Sequence, residues 1–196
     1  GIYHEGTAPS LEKKLADKKP GKSRWIPKTE IGINQLILQG EPAERGLAAG
    51  ESTASLLLKQ EESLFRQIET FFPNPLLRQL MFLGAMRWFY GLDKKMEPWM
   101  LEEMWGVSRF APSQFNFLAD PYTRQIAYHA LHEVGQSFVD MNPQGFACTV
   151  LAVPEKGGWV LGRNFDFEGG RIFDEEKIMK WVYPTQGNAF LGVTWA

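Results

Sequence analysis

The stretch that decides the fold is Phe146-Ala-Cys148-Thr-Val-Leu-Ala-Val153-Pro-Glu155-Lys-Gly-Gly158-Trp-Val-Leu-Gly-Arg163-Asn-Phe-Asp166. Ala147 to Val153 is a β-type run, Glu155 to Gly158 is a hairpin turn, and Trp159 to Phe165 is the return strand. Antiparallel pairing about Lys156–Gly157 lays the start of the first strand beside the end of the second. Cys148 therefore falls near Arg163 and Asp166. A thiol, a guanidinium and a carboxylate converge on one edge of a sheet. The cation favours thiolate, lowering a thiol from its ordinary pKa of about 8.5. A single Cys is more often a small buried hydrophobe, and Arg163 with Asp166 also reads as a structural pair closing the hairpin. The three residues at hairpin-matched spacing are what point to catalysis.

Working outward, Lys177 to Tyr183 and Asn188 to Trp195 read as a second strand pair around Pro184-Thr-Gln-Gly187. Upstream the period is helical. A short helix fits Ser10 to Lys18, within an extended polar arm over residues 1–30. Ile31 to Gln39 reads as a strand. Helices follow at Glu41 to Phe72, Leu76 to Tyr90, Pro98 to Trp105 and Pro121 to Asp140, with a loop from Ser108 to Pro121. The chain is thus helical first and antiparallel β afterwards, an α+β pattern.

The 196 residues suffice for one domain with a sizeable core, and 44% hydrophobic against 22% charged residues excludes a disordered chain. No run of about eighteen apolar residues offers a membrane-spanning helix. A net charge of −2 gives no electrostatic case for nucleic acid. Cys148 is the one cysteine, so neither an intrachain disulfide nor a cysteine-built zinc site exists.

A Cys nucleophile needs a base. His129 and His132 on the preceding helix are candidates. They stand one turn apart without a third ligand, which favours a plain helix face over a metal site. The other candidate is the α-amine of Cys148 itself, released by a cut between Ala147 and Cys148. Its ordinary pKa of about 7.7–8.0 suits proton shuttling at neutral pH, and Asp166 would orient it.

Cys148-Thr149 followed by Gly162-Arg163-Asn164-Phe165-Asp166 resembles the N-terminal-nucleophile hydrolases of the choloylglycine hydrolase group, which includes acid ceramidase and acyl-CoA:isopenicillin N acyltransferase. Leu38-Gln-Gly40-Glu-Pro-Ala-Glu44-Arg45-Gly46 with Gly50, and Met100-Leu-Glu-Glu103-Met-Trp-Gly106, are similar to upstream motifs of the acyltransferase branch. The resemblance implies a four-layer αββα sandwich. Residues 31–147 would be a mainly helical pro-segment or α-subunit, and 148–196 the first strands of the catalytic core. It implies autoproteolysis at Ala147-Cys148, then amide hydrolysis or acyl transfer on a small N-acyl substrate through a Cys148 thioester. Arg163 would lie beside thiol and substrate, and Asp166 would bind the new amine. Thr149 and Asn164 would support them. No cofactor or metal is implied, and the oxyanion-hole residues would lie beyond Ala196.

Two other readings stay open: a non-catalytic helical binding or helper module on the same fold, and an uncleaved Cys–His enzyme. The apolar segment Asn188 to Ala196 reads as a buried strand and leads us to expect completion by further sequence or a second subunit. The chain starts at Gly1 with a polar arm, which leaves the compartment open with a lean towards an exported protein. Glu44-Arg45 reads as a structural ion pair. Trp88, Phe89, Tyr90, Trp99 and Trp105 read as core, or as the lining of an acyl pocket.

Overall fold

Pro42 stands at the first turn of the longest helix, where its missing N–H costs nothing. Just before it, the Glu41 main-chain N–H donates to Glu44 Oε2 at 3.1 Å, one half of a reciprocal capping box. This helix, α2 (Pro42–Phe71), follows α1 (Ala8–Leu15). Pro73-Asn74-Pro75 ends it, and Asn74 Oδ1 accepts from the N–H groups of Leu76 and Leu77 to start α3 (Pro75–Trp88). Then come α4 (Pro98–Ser108) and α5 (Pro121–Val139). The computed structural model describes the backbone of residues 7–30, 32–139, 146–167 and 171–196.

α2 and α4 cross backbone to backbone. A Cβ on Gly46 would sit 2.1 Å from the Glu103 carbonyl oxygen, and one on Gly106 would sit 2.5 Å from the Leu47 nitrogen. Only glycine allows this approach. Around the crossing, Leu47, Leu101, Met104 and Trp105 pack with Leu11 and Leu15 of α1 and Tyr122 and Ile126 of α5. We expect Gly106→Ala to force the helices apart at a cost of about 1–3 kcal/mol, the range for overpacking, read as a lower urea midpoint; an unchanged midpoint would contradict the close crossing.

A four-stranded sheet takes the order β1 (Ser23–Ile26), β2 (Asn34–Gly40), β5 (Ile178–Pro184), β6 (Phe190–Thr194). α2 covers one face, where Leu36, Leu38 and Ile178 meet Ala48, Ala49 and Leu56. β3 (Phe146–Glu155) and β4 (Gly158–Phe167) form a separate two-stranded hairpin. Gly157 turns it with φ +97°, a left-handed conformation. A short helix, α6 (Ile172–Glu175), leads into β5.

The α+β reading holds, with three differences of detail. Residues 23–26, read as part of an arm, form the strand β1. The main sheet is not all antiparallel: β2 runs parallel to β5, Leu36 opposite Lys180 and Leu38 opposite Val182. The last strand forms as β6, antiparallel to β5, yet Phe190, Leu191 and Val193 are each more than half exposed. β6 is an edge strand, and α2 lies under β2 and β5 rather than under it. Ile31 and Asp140, the ends of two expected elements, lie outside the described residues.

Candidate active site

The β3–β4 register settles which backbone positions meet. Cys148 stands opposite Phe165, Ala147 opposite Asp166, Thr149 opposite Asn164 and Val150 opposite Arg163. Asp166 is thus one rung from Cys148 towards the open end of the hairpin, and Arg163 two rungs the other way. Diagonal neighbours in such a ladder are about 7–8 Å apart at Cα, within reach of long side chains. Cys148 and Arg163 share a parity, so the ladder places them on one face; Asp166 has the other parity. A thiol needs the shared face to feel the guanidinium. A main-chain amine at Cys148 lies in the ladder itself, and for it the rung of Asp166 is the nearer one. The side chains of Ala147, Cys148, Thr149, Asn164 and Asp166 lie outside the described residues.

The hairpin is apolar on both faces. Val150 and Leu161 of one parity and Leu151 and Val160 of the other are all more than half exposed, as is Trp159. A surface hairpin of a finished domain normally alternates apolar and polar.

Of the candidate bases, His129 is exposed and its Nδ1 lies 2.9 Å from the Gln125 carbonyl oxygen, one turn back in its own helix. The His132 side chain lies outside the described residues. Glu44 and Arg45 are not partners. Glu44 reaches Lys18 and the Glu41 N–H. Arg45, 4% exposed, donates to the Gly40 carbonyl at 2.7 Å and pairs with Glu103 at 2.9 Å. Both upstream motifs therefore build one joint: their glycines make the helix crossing, and Arg45 and Glu103 tie it to the end of β2. The tryptophans differ in their surroundings. Trp105 is core and its Nε1–H donates to Glu12, whereas Trp88 and Trp99 are exposed.

Sequence reading missed two buried charge sites. Lys180 of β5 lies where it feels both Glu103 and Arg45. Burial holds its ammonium below the usual range; Glu103 raises it and Arg45 lowers it further. A lysine depressed in this way costs stability while it is charged. That cost is relieved as pH rises through the folded value towards the unfolded one of about 10.4. Thermal midpoints measured from about pH 7 to about pH 10 should therefore show the wild type gaining on Lys180→Met; a constant gap would contradict it. The second site joins α2 to α5. Glu61 and Arg124, each 2% exposed, pair at 3.0 Å, and the Tyr128 hydroxyl donates to Glu61 at 2.6 Å. Burial, then the Glu61 charge, pushes the Tyr128 hydroxyl far above its ordinary range, so it stays a neutral donor.

No protein-family model, curated protein or solved structure matches this chain. The reading of its chemistry rests on its own residues.

Proposed function

We propose that this chain is the precursor of an N-terminal-nucleophile hydrolase, and that Cys148 cuts the bond before itself. The observation that carries the reading is the hairpin register, which sets Asp166 across from Ala147 and Arg163 on the Cys148 parity. In the first stage the thiol adds to the Ala147 carbonyl. The C–N bond breaks, the proton passes to the departing nitrogen, and a thioester remains. Water hydrolyses it to the Ala147 carboxylate and a free thiol. Cys148 now carries an α-amine, which serves as base with Asp166 holding its charged form. In the second stage the thiol attacks an N-acyl amide, the amine gives its proton to the leaving nitrogen, and the acyl group passes from the thioester to water or another amine.

The hairpin also supports the finer fold reading. Strands with apolar residues on both faces suit the interior of an αββα sandwich, where layers cover them from both sides. Thr149 and Asn164, paired in the rung next to Cys148, would brace the strand start. The rest of the sandwich and the oxyanion hole would come from further sequence or a second subunit.

The denatured intact mass of the purified chain tests the proposal. Two species, the second beginning at Cys148, are expected after incubation at neutral pH. A chain that stays whole overturns the α-amine mechanism.

A further inference from the structure

The two edges of the four-stranded sheet differ in chemistry. β6 carries no charged residue from Phe190 to Thr194. β1, at the other edge, sits in a run of five cations, Lys18, Lys19, Lys22, Arg24 and Lys28, with no acid between them. Exposed Asp17 and Glu30 bracket the run. Lys18 pairs with Glu44 and Lys28 with Glu176. Lys19, Lys22 and Arg24 are exposed and make no ion pair among the described residues. The neighbouring strand β2 adds no charge from Asn34 to Gly40.

The ladder fixes which main-chain groups are open. The Gln39 N–H donates to the Lys22 carbonyl at 2.9 Å, and Ser23 faces Leu38. Rungs of an antiparallel pair alternate. Arg24 therefore turns its N–H and C=O towards β2, and Ser23 and Trp25 turn theirs outward. Among the described residues no other backbone group takes those outward groups. The side chains divide as sharply. Lys22 and Arg24 share one face of β1. Trp25 lies on the other and packs against the apolar cluster between the sheet and α2. A strand laid along this edge gains the N–H and C=O groups of Ser23 and Trp25. Its residues beside Lys22 and Arg24 meet cations, and those beside Trp25 meet an indole.

We infer that β1 takes up an extended segment of another protein in which acidic and apolar residues alternate, the acids meeting Lys22 and Arg24 and the apolar side chains meeting Trp25. Two β1 edges carry like charge, which disfavours a second copy of this chain as the occupant. Docking here is independent of the thiol chemistry proposed above.

Fluorescence anisotropy of the full chain with a labelled short peptide alternating Glu and Val tests this. Binding is expected, and it should weaken as salt rises. Ser23→Pro removes one outward N–H and keeps the β1–β2 ladder, because the open side of an edge strand tolerates proline. It should weaken binding by about tenfold. Joint Lys22→Glu and Arg24→Glu should weaken it by about tenfold or more and should transfer binding to a peptide alternating Lys and Val. Far-ultraviolet dichroism shows that each variant is folded. The Glu–Val peptide N-methylated at alternate residues, on its pairing edge, removes the same main-chain bonds with the wild-type chain and should not bind. The assignment falls if the Glu–Val peptide does not bind, if the N-methylated peptide binds as well, if a folded Ser23→Pro binds as the wild type does, or if the charge-reversed chain keeps the acidic peptide. It also falls if an oligodeoxythymidylate binds as tightly as the peptide, or if sedimentation reveals a dimer that Ser23→Pro dissolves.

Discussion

Arg124→Ala is expected to destabilise the protein by about 3–5 kcal/mol, the range for stripping one partner from a buried ion pair. Four groups depend on this guanidinium. Nε–H donates to Glu61 at 3.0 Å, Nη1–H groups to Asn116 Oδ1 and the Ala119 carbonyl at 2.8 Å each, and Nη2–H to the Pro112 carbonyl at 2.8 Å. Its loss leaves the Glu61 carboxylate buried without a cation. The Tyr128 hydroxyl donates to the same oxygen that Arg124 uses, Oε1, and Oε2 has no protein partner. One neutral donor does not replace a charge. Glu61→Leu combined with Arg124→Met should recover part of the loss, because an apolar pair of similar volume removes the stranded charge. Recovery will be incomplete, since the carbonyls of Pro112 and Ala119 still lose their donor. Urea unfolding read by tryptophan fluorescence measures all three proteins. A loss below about 1 kcal/mol for Arg124→Ala would mean that water reaches Glu61.

The parts of the fold legible in sequence were those set by local rules. Gly157-Gly158 fixes the hairpin and so its register, Pro42 and Pro98 mark helix starts, and Pro73-Asn74-Pro75 marks a break. β1 was hidden because it is an edge strand: Ser23 and Arg24 are exposed, so no apolar alternation betrays it. The parallel pairing of β2 with β5 was hidden for another reason. It joins Asn34 to Ile178 across the whole helical region, and nothing local encodes a partner so distant. Buried charges were hidden by composition. Glu61 follows Gln60 and precedes Glu62, a run that reads as a solvated face, and its partner Arg124 lies in another helix. α3 misled in the opposite sense: its apolar run reads as core, yet one face of it is exposed. Of the candidate site, the backbone positions of Cys148, Arg163 and Asp166 along one hairpin were legible because a tight turn fixes its own register, whereas the opposite parity of Asp166 emerges only from the rung-by-rung pairing. The structural work of Arg45, Glu103, Gly46 and Gly106 was not, because it appears only when two helices cross.

Cys148→Ala is expected to leave the chain whole under conditions in which the wild type splits at Ala147-Cys148, a complete loss that denatured mass reads directly. Under native conditions the wild-type pieces should stay together. The cut separates 1–147 from 148–196, but β2 belongs to the first and β5 to the second, and seven residues of each are paired. Lys28 pairs with Glu176 at 3.2 Å, and the Asn34 amide donates to Glu176 at 3.1 Å, both across the cut. A single native peak that resolves into two denatured masses is therefore the expected result. Further variants separate the mechanisms. Asp166→Asn removes the charge that would hold the new amine, so multiple-turnover amide cleavage should fall by about 10²-fold or more. Arg163→Lys keeps a cation on the Cys148 face and should be milder than Arg163→Met. His129→Ala and His132→Ala should both still split. If instead the wild type stays whole, and a His substitution abolishes its activity, Cys148 works with that imidazole and the α-amine has no part. If Cys148→Ala retains whatever binding or activity the wild type shows, the hairpin is a scaffold and the chain is a helper module. The three outcomes differ in both mass and activity, so a single set of four purified proteins, wild type with Cys148→Ala, His129→Ala and His132→Ala, decides between them.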